Sequence, residues 1–580
     1  MSFDIQKDGA VLLRHLLILV IFAVITTICC ELAHRASTKR MAGWFIKYPS
    51  AASANMGLVL ALEGATAAAT GSVYWATVVG FALPYIAACF SYFKYAARNE
   101  PLYVSDIKLF FAVFGVADGS NLALRTENMT PAVVVGLWFV CVAPAGEPLM
   151  PPVFRLLMLV MAAALVLAVI FIGIERHRPD HTYMQSGFLA GLLGNLLYHL
   201  QNKAAKGKRP AKTTDAPCPD KEMPDVVVVL SESFWDAKKL SKVNFSRDPI
   251  PFFRALSEES ISGNLMVTPF GGGTCNVESE VLLGIVNRHF NITDSFYHSF
   301  IKRPTASLAT AFRDKGYRAT ALHTFDRKFY ARDKALALMG FEKFLAADSL
   351  TKPNRSGRYI DDSHLTDMII ETLGTKRKPQ FVFAISMENH QPYKANKFKR
   401  TSITATSETA GFSAWKGAAE AYAHGLHDAD RELERLVQFC REREKPTVVL
   451  FFGDHLGALG EDFALYRHSG LVSGPQGELS MQDIENVYTP PFVLWSNYKT
   501  ETAHLGFMGA NFLGNLLMDY VGLEKPPQFT CLEKMWARMR CLSREDYFLD
   551  AEGKVTQRLP HDAKALEQEY KAVSRRTLGI

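Results

Sequence analysis

Apolar stretches long enough to cross a bilayer crowd the first two hundred residues of this 580-residue chain and then stop. A run of about 20 apolar residues has few fates besides a transmembrane helix, because backbone polar groups in lipid must bond one another. Residues 13–32, 54–70, 73–93, 131–145 (a short one) and 156–174 read as five such spans. The second carries Glu63 in its middle, a costly placement that marks either a polar contact or a functional position; an Ala- and Gly-rich re-entrant or interfacial segment is the alternative for that stretch. Residues 184–200 are apolar, Gly-containing and short, which suits an interfacial or juxtamembrane helix better than a sixth span.

Past Asn202 the chain changes character. Residues 202–224 are polar, basic and Pro-containing, as in a linker. The chain therefore divides into a membrane and juxtamembrane helical domain (1–201), a linker (202–224) and an extracytoplasmic α/β domain with a helical tail (225–580). Five spans with the N-terminus inside place the soluble part outside. That topology also puts Arg35, Lys39, Arg40 and Lys47 outside, against the positive-inside tendency, so the chemistry below decides the side. The first span is long and lacks a small-residue cleavage site, so no cleavable signal peptide is expected.

The net charge of +6 is mild, and no basic stripe interleaved with aromatics appears, so nucleic acid is not an expected partner. Nine cysteines form no C-x2-C pair and hence no zinc pattern. Cys531 and Cys541 are either a local disulfide or free thiols.

In the soluble part, short β-rich runs at 226–230, 319–323, 381–386, 447–452 and 492–495 alternate with helical or loop sequence. Continuous apolar runs of this length suit strands buried on both faces, and the alternation predicts an α/β sandwich around a largely parallel sheet. Ligands of such sheets bind beyond the carboxyl ends of the strands. Polar residues suited to metal or phosphate follow four of the runs. The first leads into Ser231-Glu232-Ser233, and the fourth into Gly453-Asp454-His455-Leu456-Gly457. One hard oxygen and one imidazole at a glycine-bracketed strand exit suit Mn²⁺ or Zn²⁺, or Mg²⁺ if oxygens and waters dominate.

Between them lies Phe270-Gly271-Gly272-Gly273-Thr274-Cys275-Asn276, opening a helix that begins Val277-Glu278-Ser279-Glu280. Thr274 sits near its N-terminus, where amides and the helix dipole favour anions. A hydroxyl there is either a nucleophile activated by a metal or only an N-cap. The third run leads to Asn389-His390-Gln391-Pro392, where His390 could serve a phosphoryl or leaving oxygen or be a surface histidine. After the second come His323-Thr324-Phe325-Asp326 and Phe329-Tyr330-Ala331-Arg332-Asp333. Arg332 offers a planar fork suited to phosphate. Its i+3 and i+4 neighbours, Ala335 and Leu336, provide no local partner, so the other reading is a solvated arginine.

Taken in order, these segments resemble the lipoteichoic acid synthase family of the alkaline phosphatase and sulfatase superfamily. The E-S-F run at Glu232, G-G-G-T ending at Thr274, F-Y-x-R-D at 329–333, N-H-Q-P at His390 and G-D-H at 453–455 carry the likeness. In the membrane part, residues 98–106 (RNEPLYVSD) resemble the family's R-x-E-P-L-x-x-S-D segment. The resemblance implies a metal-dependent phosphoglycerol transferase with one divalent ion, Mn²⁺ first and Mg²⁺ or Zn²⁺ as alternatives. Glu232, Thr274, Asp454 and His455 would bind the metal, with Thr274 also the nucleophile. Arg332 and His390 would hold the head group, with Tyr330 and His323 beside them; Tyr330 stands where the family has Trp, which leaves head-group contacts open. It implies Thr274 attacking phosphatidylglycerol, diacylglycerol leaving, and a glycan or glycerophosphate hydroxyl then taking the phosphoglycerol in a ping-pong scheme. Three other readings compete. A phosphoethanolamine transferase differs in the head group. A sulfatase-type hydrolase needs C/S-x-P-x-R, whereas Cys275 is followed by Asn-Val-Glu-Ser. An inactive membrane scaffold would keep the domain only for binding.

Overall fold

The computed structural model describes residues 5–35, 38–98, 150–171, 186–202, 223–290, 295–374, 378–474, 479–544, 547–556 and 561–580, with residues 102, 136 and 559. It falls into two compact units, residues 1–204 and 205–580.

The first unit is helical: α1 (Ile5–Arg35), α2 (Thr38–Lys47), α3 (Pro49–Thr70), α4 (Val73–Arg98), α5 (Pro152–Phe171) and α6 (Phe188–Asn202). Among the described residues, three stretches are long and apolar enough to cross a membrane: Ala10–Arg35, Val73–Tyr92 and Pro152–Ile170. The expectation of five spans is not met among these residues. The stretch 54–70 lies in α3, which is long enough, but its Ala, Gly, Ser and Thr content dilutes the apolar signal. Small residues let α3 approach its neighbours closely, with a Cβ on Gly64 coming 3.2 Å from the Met158 carbonyl oxygen of α5. Stretch 131–145 and nearly all of the 98–106 motif and the linker lie outside the described residues. Glu63 is fully buried against Gly80 of α4, and neither carboxylate oxygen has a hydrogen-bond partner. Of the two alternatives for it, a polar contact or a functional position, the first is not seen among the described residues.

The second unit is built on eight strands: β1 (Asp225–Ser231), β2 (Ile261–Met266), β3 (Arg318–His323), β4 (Lys343–Leu345), β5 (Gln380–Ile385), β6 (Thr447–Gly453), β7 (Pro491–Ser496) and β8 (Ala503–Gly509). Their order is β8-β2-β7-β6-β1-β5-β3-β4. Only β7 runs against the rest, pairing antiparallel with β6 and β2. All five expected strands are present. Along β1, Val226, Val228 and Leu230 enter one apolar core and Val227 and Val229 the other. Both faces are therefore covered, as a parallel sheet requires.

One expectation fails at the tail. The expected helical tail is not helical throughout: in the Gly- and Leu-rich stretch 505–523, residues up to Gly509 belong to edge strand β8 (Ala503–Gly509) and an α-helix begins only at Leu513. Backbone geometry explains it. Gly506 takes φ 67°, and a Cβ on Gly263 of β2 would lie 2.8 Å from the Gly506 carbonyl oxygen, so these glycines serve close strand approach. Cys531 and Cys541 are buried thiols, not bridged to each other. The tail ends in α10 (Lys564–Leu578), reached after α7 (Thr274–Leu283), α8 (Asp362–Leu373) and α9 (Lys416–Arg441). The Tyr570 hydroxyl of α10 accepts from Val286 N (2.8 Å) and donates to the carbonyl of Gly284 (2.9 Å), the residue that caps α7.

Candidate active site

Strand register assembles the site. Ser231 of β1 lies opposite Gly453 of β6, and Leu230 opposite Ile385 of β5. The residues that follow, Glu232, Asp454 and Ser386, therefore leave the sheet side by side. Gly453 is obligatory: a Cβ there would meet the Phe234 carbonyl oxygen at 2.1 Å. Gly271, Gly272 and Gly273 take φ of 63°, 148° and 89°, a path open to glycine. They turn the chain so that Gly273 is the N-cap and Thr274 the first residue of α7, so Thr274 is not the cap itself.

Ligand atoms of Glu232, Asp454 and His455 lie within 4.8 Å of one another, and all three residues are buried. The Thr274 hydroxyl is 3.4 Å from Glu232 Oε2. His455 Nε2 is 3.2 Å from Asp454 Oδ2 and 3.6 Å from Glu232 Oε1. His455 Nδ1 faces the Leu456 carbonyl at 3.1 Å; that contact places the proton on Nδ1 and leaves the Nε2 lone pair facing the carboxylates. Asp454 Oδ2 and His455 Nε2 have no hydrogen-bond partner. Burial, reinforced by the nearby Glu232 carboxylate, pushes Asp454 up to about 6. Two buried carboxylates beside an imidazole lone pair are unstable without positive charge. The donor set therefore fits a divalent cation held by Glu232, Asp454, His455 and the Thr274 hydroxyl.

Ser233 locks this geometry from a left-handed φ of 55°. Its N–H donates to Asp454 Oδ1 (2.8 Å), its hydroxyl to Glu232 Oε1 (2.8 Å), and its carbonyl accepts from the Tyr422 hydroxyl of α9 (2.8 Å). Sequence reasoning passed over Ser233 and also Glu278. Glu278, one turn along α7 from Thr274, is fully buried and takes Arg332 at 2.6 Å (Nη2–Oε1) and 3.1 Å (Nε–Oε1). Tyr297 donates to its other oxygen at 2.9 Å.

Arg332 is accordingly neither solvated nor unpartnered. Its fork is engaged by Glu278, while Nη1 donates to His323 Nε2 (3.2 Å), and His323 Nδ1 donates to the Ile385 carbonyl (3.0 Å). Burial and the adjacent guanidinium hold His323 well below the usual imidazole range, as a neutral acceptor. Tyr330 is buried with its ring centroid 5.1 Å from Arg332 Cζ. Tyr330 and Ala331 both take left-handed φ, 58° and 54°, a local cost of about 1–3 kcal/mol each that the surrounding packing must over-determine. His323, Tyr330 and Arg332 thus form one cluster, tied through Glu278 to the Thr274 helix. His390 is half-buried: its Nδ1 lies 2.8 Å from the Gln391 carbonyl and 3.1 Å from the Tyr359 hydroxyl. Gln391 in turn donates to the Gly271 carbonyl at 2.8 Å, binding the His390 loop to the glycine turn. Cys275 is buried in the apolar core.

The model of the sulfatase family matches residues 224–523. A putative cyclic beta-1,2-glucan modification protein from Rhizobium meliloti is 32% identical over 337 residues, 58% of this chain and 51% of that protein. The chain spans about half the length of the curated relatives it matches. Among solved structures, the phosphoglycerol transferase GacH of Streptococcus pyogenes, in complex with sn-glycerol-1-phosphate, aligns at 22% identity and TM-score 0.50, covering 62% of this chain and 87% of that one. The lipooligosaccharide phosphoethanolamine transferase A (EptA) of Neisseria meningitidis aligns at 13% identity and TM-score 0.51, covering 87% of this chain and 95% of that one. These likenesses are of fold.

Proposed function

The chain belongs to the sulfatase family, and from that premise we propose that it is a membrane-anchored phosphotransferase, moving a phosphoglycerol head group from phosphatidylglycerol through Thr274 to a hydroxyl of an envelope glycan or polymer. One observation carries the reading: a buried hydroxyl at the start of a ten-residue helix, 3.4 Å from a carboxylate, beside two buried ligand atoms without partners. A divalent cation bound there, with Mn²⁺ the first expectation, would supply Lewis acidity that lowers the pKa of the Thr274 hydroxyl.

Thr274 Oγ1 forms a bond to phosphorus as the bond to the diacylglycerol oxygen breaks; the threonine proton is balanced by one taken up by the leaving diacylglycerol. The acceptor hydroxyl then attacks the same phosphorus, the Thr274 ester bond breaks, and the acceptor's proton is balanced by the one that restores the threonine. The α7 N-terminus favours the phosphoryl oxygens. Arg332, its fork engaged by Glu278, is the group proposed to hold α7 in place through that pair rather than to grip the phosphate bidentately. His390, half-buried on the adjacent loop, is the group proposed to contact the head group. A catalytic unit outside the cytoplasm, tethered by the helical unit, meets a lipid donor without extracting it from the membrane. The glucan named for the Rhizobium meliloti relative supports a glycan acceptor.

The test is full-length protein in vesicles containing head-group-labelled phosphatidylglycerol or phosphatidylethanolamine, with Mn²⁺. Label on Thr274 from phosphatidylglycerol alone, lost in Thr274→Ala, is expected. Label from phosphatidylethanolamine instead would replace the donor, and equal turnover by Thr274→Ala would remove the nucleophile.

A further inference from the structure

Beneath the His390 loop lies a lysine that the mechanism above does not use. Lys397 is half-buried, and its ammonium donates to the His390 carbonyl at 2.8 Å. It also rests 4.6 Å from the ring centroid of Tyr393 and 5.0 Å from that of Phe398. Tyr393 is itself wedged into the site: its hydroxyl donates to the Asn389 carbonyl at 2.7 Å, and a Cβ on Gly457, just past Asp454 and His455, would strike its ring at 2.7 Å. One amine thus ties together the loop that presents His390 and the wall of the metal-ligand pocket.

Titratable groups from four elements lie near it. Glu388 adjoins it on the same loop, Asp362 at the start of α8, Glu232 past β1, and His424 on α9. Glu388 and Asp362 form a buried pair: the Asp362 N–H donates to Glu388 Oε2 at 2.7 Å, while Glu388 Oε1 and Asp362 Oδ1 have no partner. Burial raises both acids, Glu388 to about 9 and Asp362 to about 7. Two aromatic faces and a carbonyl acceptor are contacts that favour the charged form of the amine.

We infer that Lys397 is a positioning residue for phosphoryl transfer, holding the His390 loop in its working geometry only while its amine carries a proton. The inference rests on the phosphotransferase reading of the same site. Burial pulls Lys397 down to about 7, against the pull of Glu388, Glu232 and Asp362. The protonated form holds the loop, so activity is complete below that value and falls as pH rises through it.

Full-length protein is assayed with Mn²⁺ on labelled phosphatidylglycerol vesicles and, separately, on a chromogenic phosphodiester, which reads Thr274 chemistry whatever the natural donor. Lys397→Met is expected to lower kcat by about 100-fold at pH 6.5, the scale of a misplaced contact group. Lys397→Arg, charged throughout the range, is expected to restore much of that loss and to abolish the fall in rate between about pH 7 and 9. An alkaline limb in Lys397→Arg matching the wild type would overturn the inference, and so would a Lys397→Met rate close to wild type. If Lys397→Met fails to fold, the Lys397→Arg profile decides alone. Turnover of the chromogenic ester without transfer from phosphatidylglycerol refutes the donor and leaves Lys397 to be judged on its pH profile. No Thr274-dependent turnover of either substrate overturns the phosphotransferase reading and this inference with it.

Discussion

Removing the charge on Glu278 by Glu278→Gln should unsettle the domain far more than its distance from the ligand set implies. Arg332 is 2% exposed and Glu278 fully buried, and the pair meets at 2.6 Å. With Gln in place, the guanidinium stays buried with no counter-charge. Breaking a buried pair in this way costs about 3–5 kcal/mol, whereas replacing both partners by apolar groups of similar volume is about neutral. A 1 kcal/mol change moves the melting temperature of a 150–250-residue domain by about 2–4 °C and that of a larger one by less, so a drop of about 5 °C is expected. The double variant Glu278→Gln/Arg332→Met should recover most of it. Because Glu278 lies one turn behind Thr274, transfer should fall in the single variant even below its melting point. Thermal unfolding of wild type, both single variants and the double variant closes the cycle. A Glu278→Gln loss under about 1 kcal/mol, or a double variant no better than the single, would refute the claim that charge pairing anchors Arg332.

Titrating Mn²⁺ into chelator-treated protein should raise the melting temperature, since a ligand at about 100 times its Kd adds about 2.7 kcal/mol; Asp454→Asn should abolish the response, and an unchanged melt in wild type would mean that the pocket holds no ion. Gly453→Ala drives a Cβ to 2.1 Å from the Phe234 carbonyl oxygen, so it should disrupt the β6 exit and lose the Mn²⁺ response; a wild-type titration would contradict this. Burial raises Glu280 of α7 to about 8. A carboxyl with a raised folded-state pKa favours folding most below its unfolded value near 4.5 and loses that advantage as pH climbs toward 8. Stability of Glu280→Gln should therefore decline less than wild type across that window, and parallel pH curves in chemical denaturation would reject the shift.

The strands that carry the site were legible because a sheet buried on both faces leaves unbroken apolar runs, and the ligand residues stand directly at their ends. Edge strands β4 and β8, and β2 beside β8, were not. β2 and β8 are rich in Ser, Gly, Asn and His, and their pairing depends on backbone approach at Gly263 and Gly506 rather than on side-chain pattern. Thr274 and Arg332 could be picked out by residue type. Their connection could not, because Glu278 and Arg332 are 54 residues apart and meet only after folding. Within α7, Glu278 read as an ordinary helix-start acid. Ser233 lies next to Glu232 in sequence, yet its role depends on a positive φ that no local pattern announces. For α3, glycine and alanine serve helix contact and dilute the hydropathy by which a span is recognised.

Tyr570 ties the last helix, α10, to the C-terminal end of α7. The far end of α7 is fastened by a hydroxyl that lies 286 residues beyond the Gly284 carbonyl it binds. Clipping the chain before residue 561 therefore leaves the carbonyl of Gly284 and the N–H of Val286 without the hydroxyl that joins them.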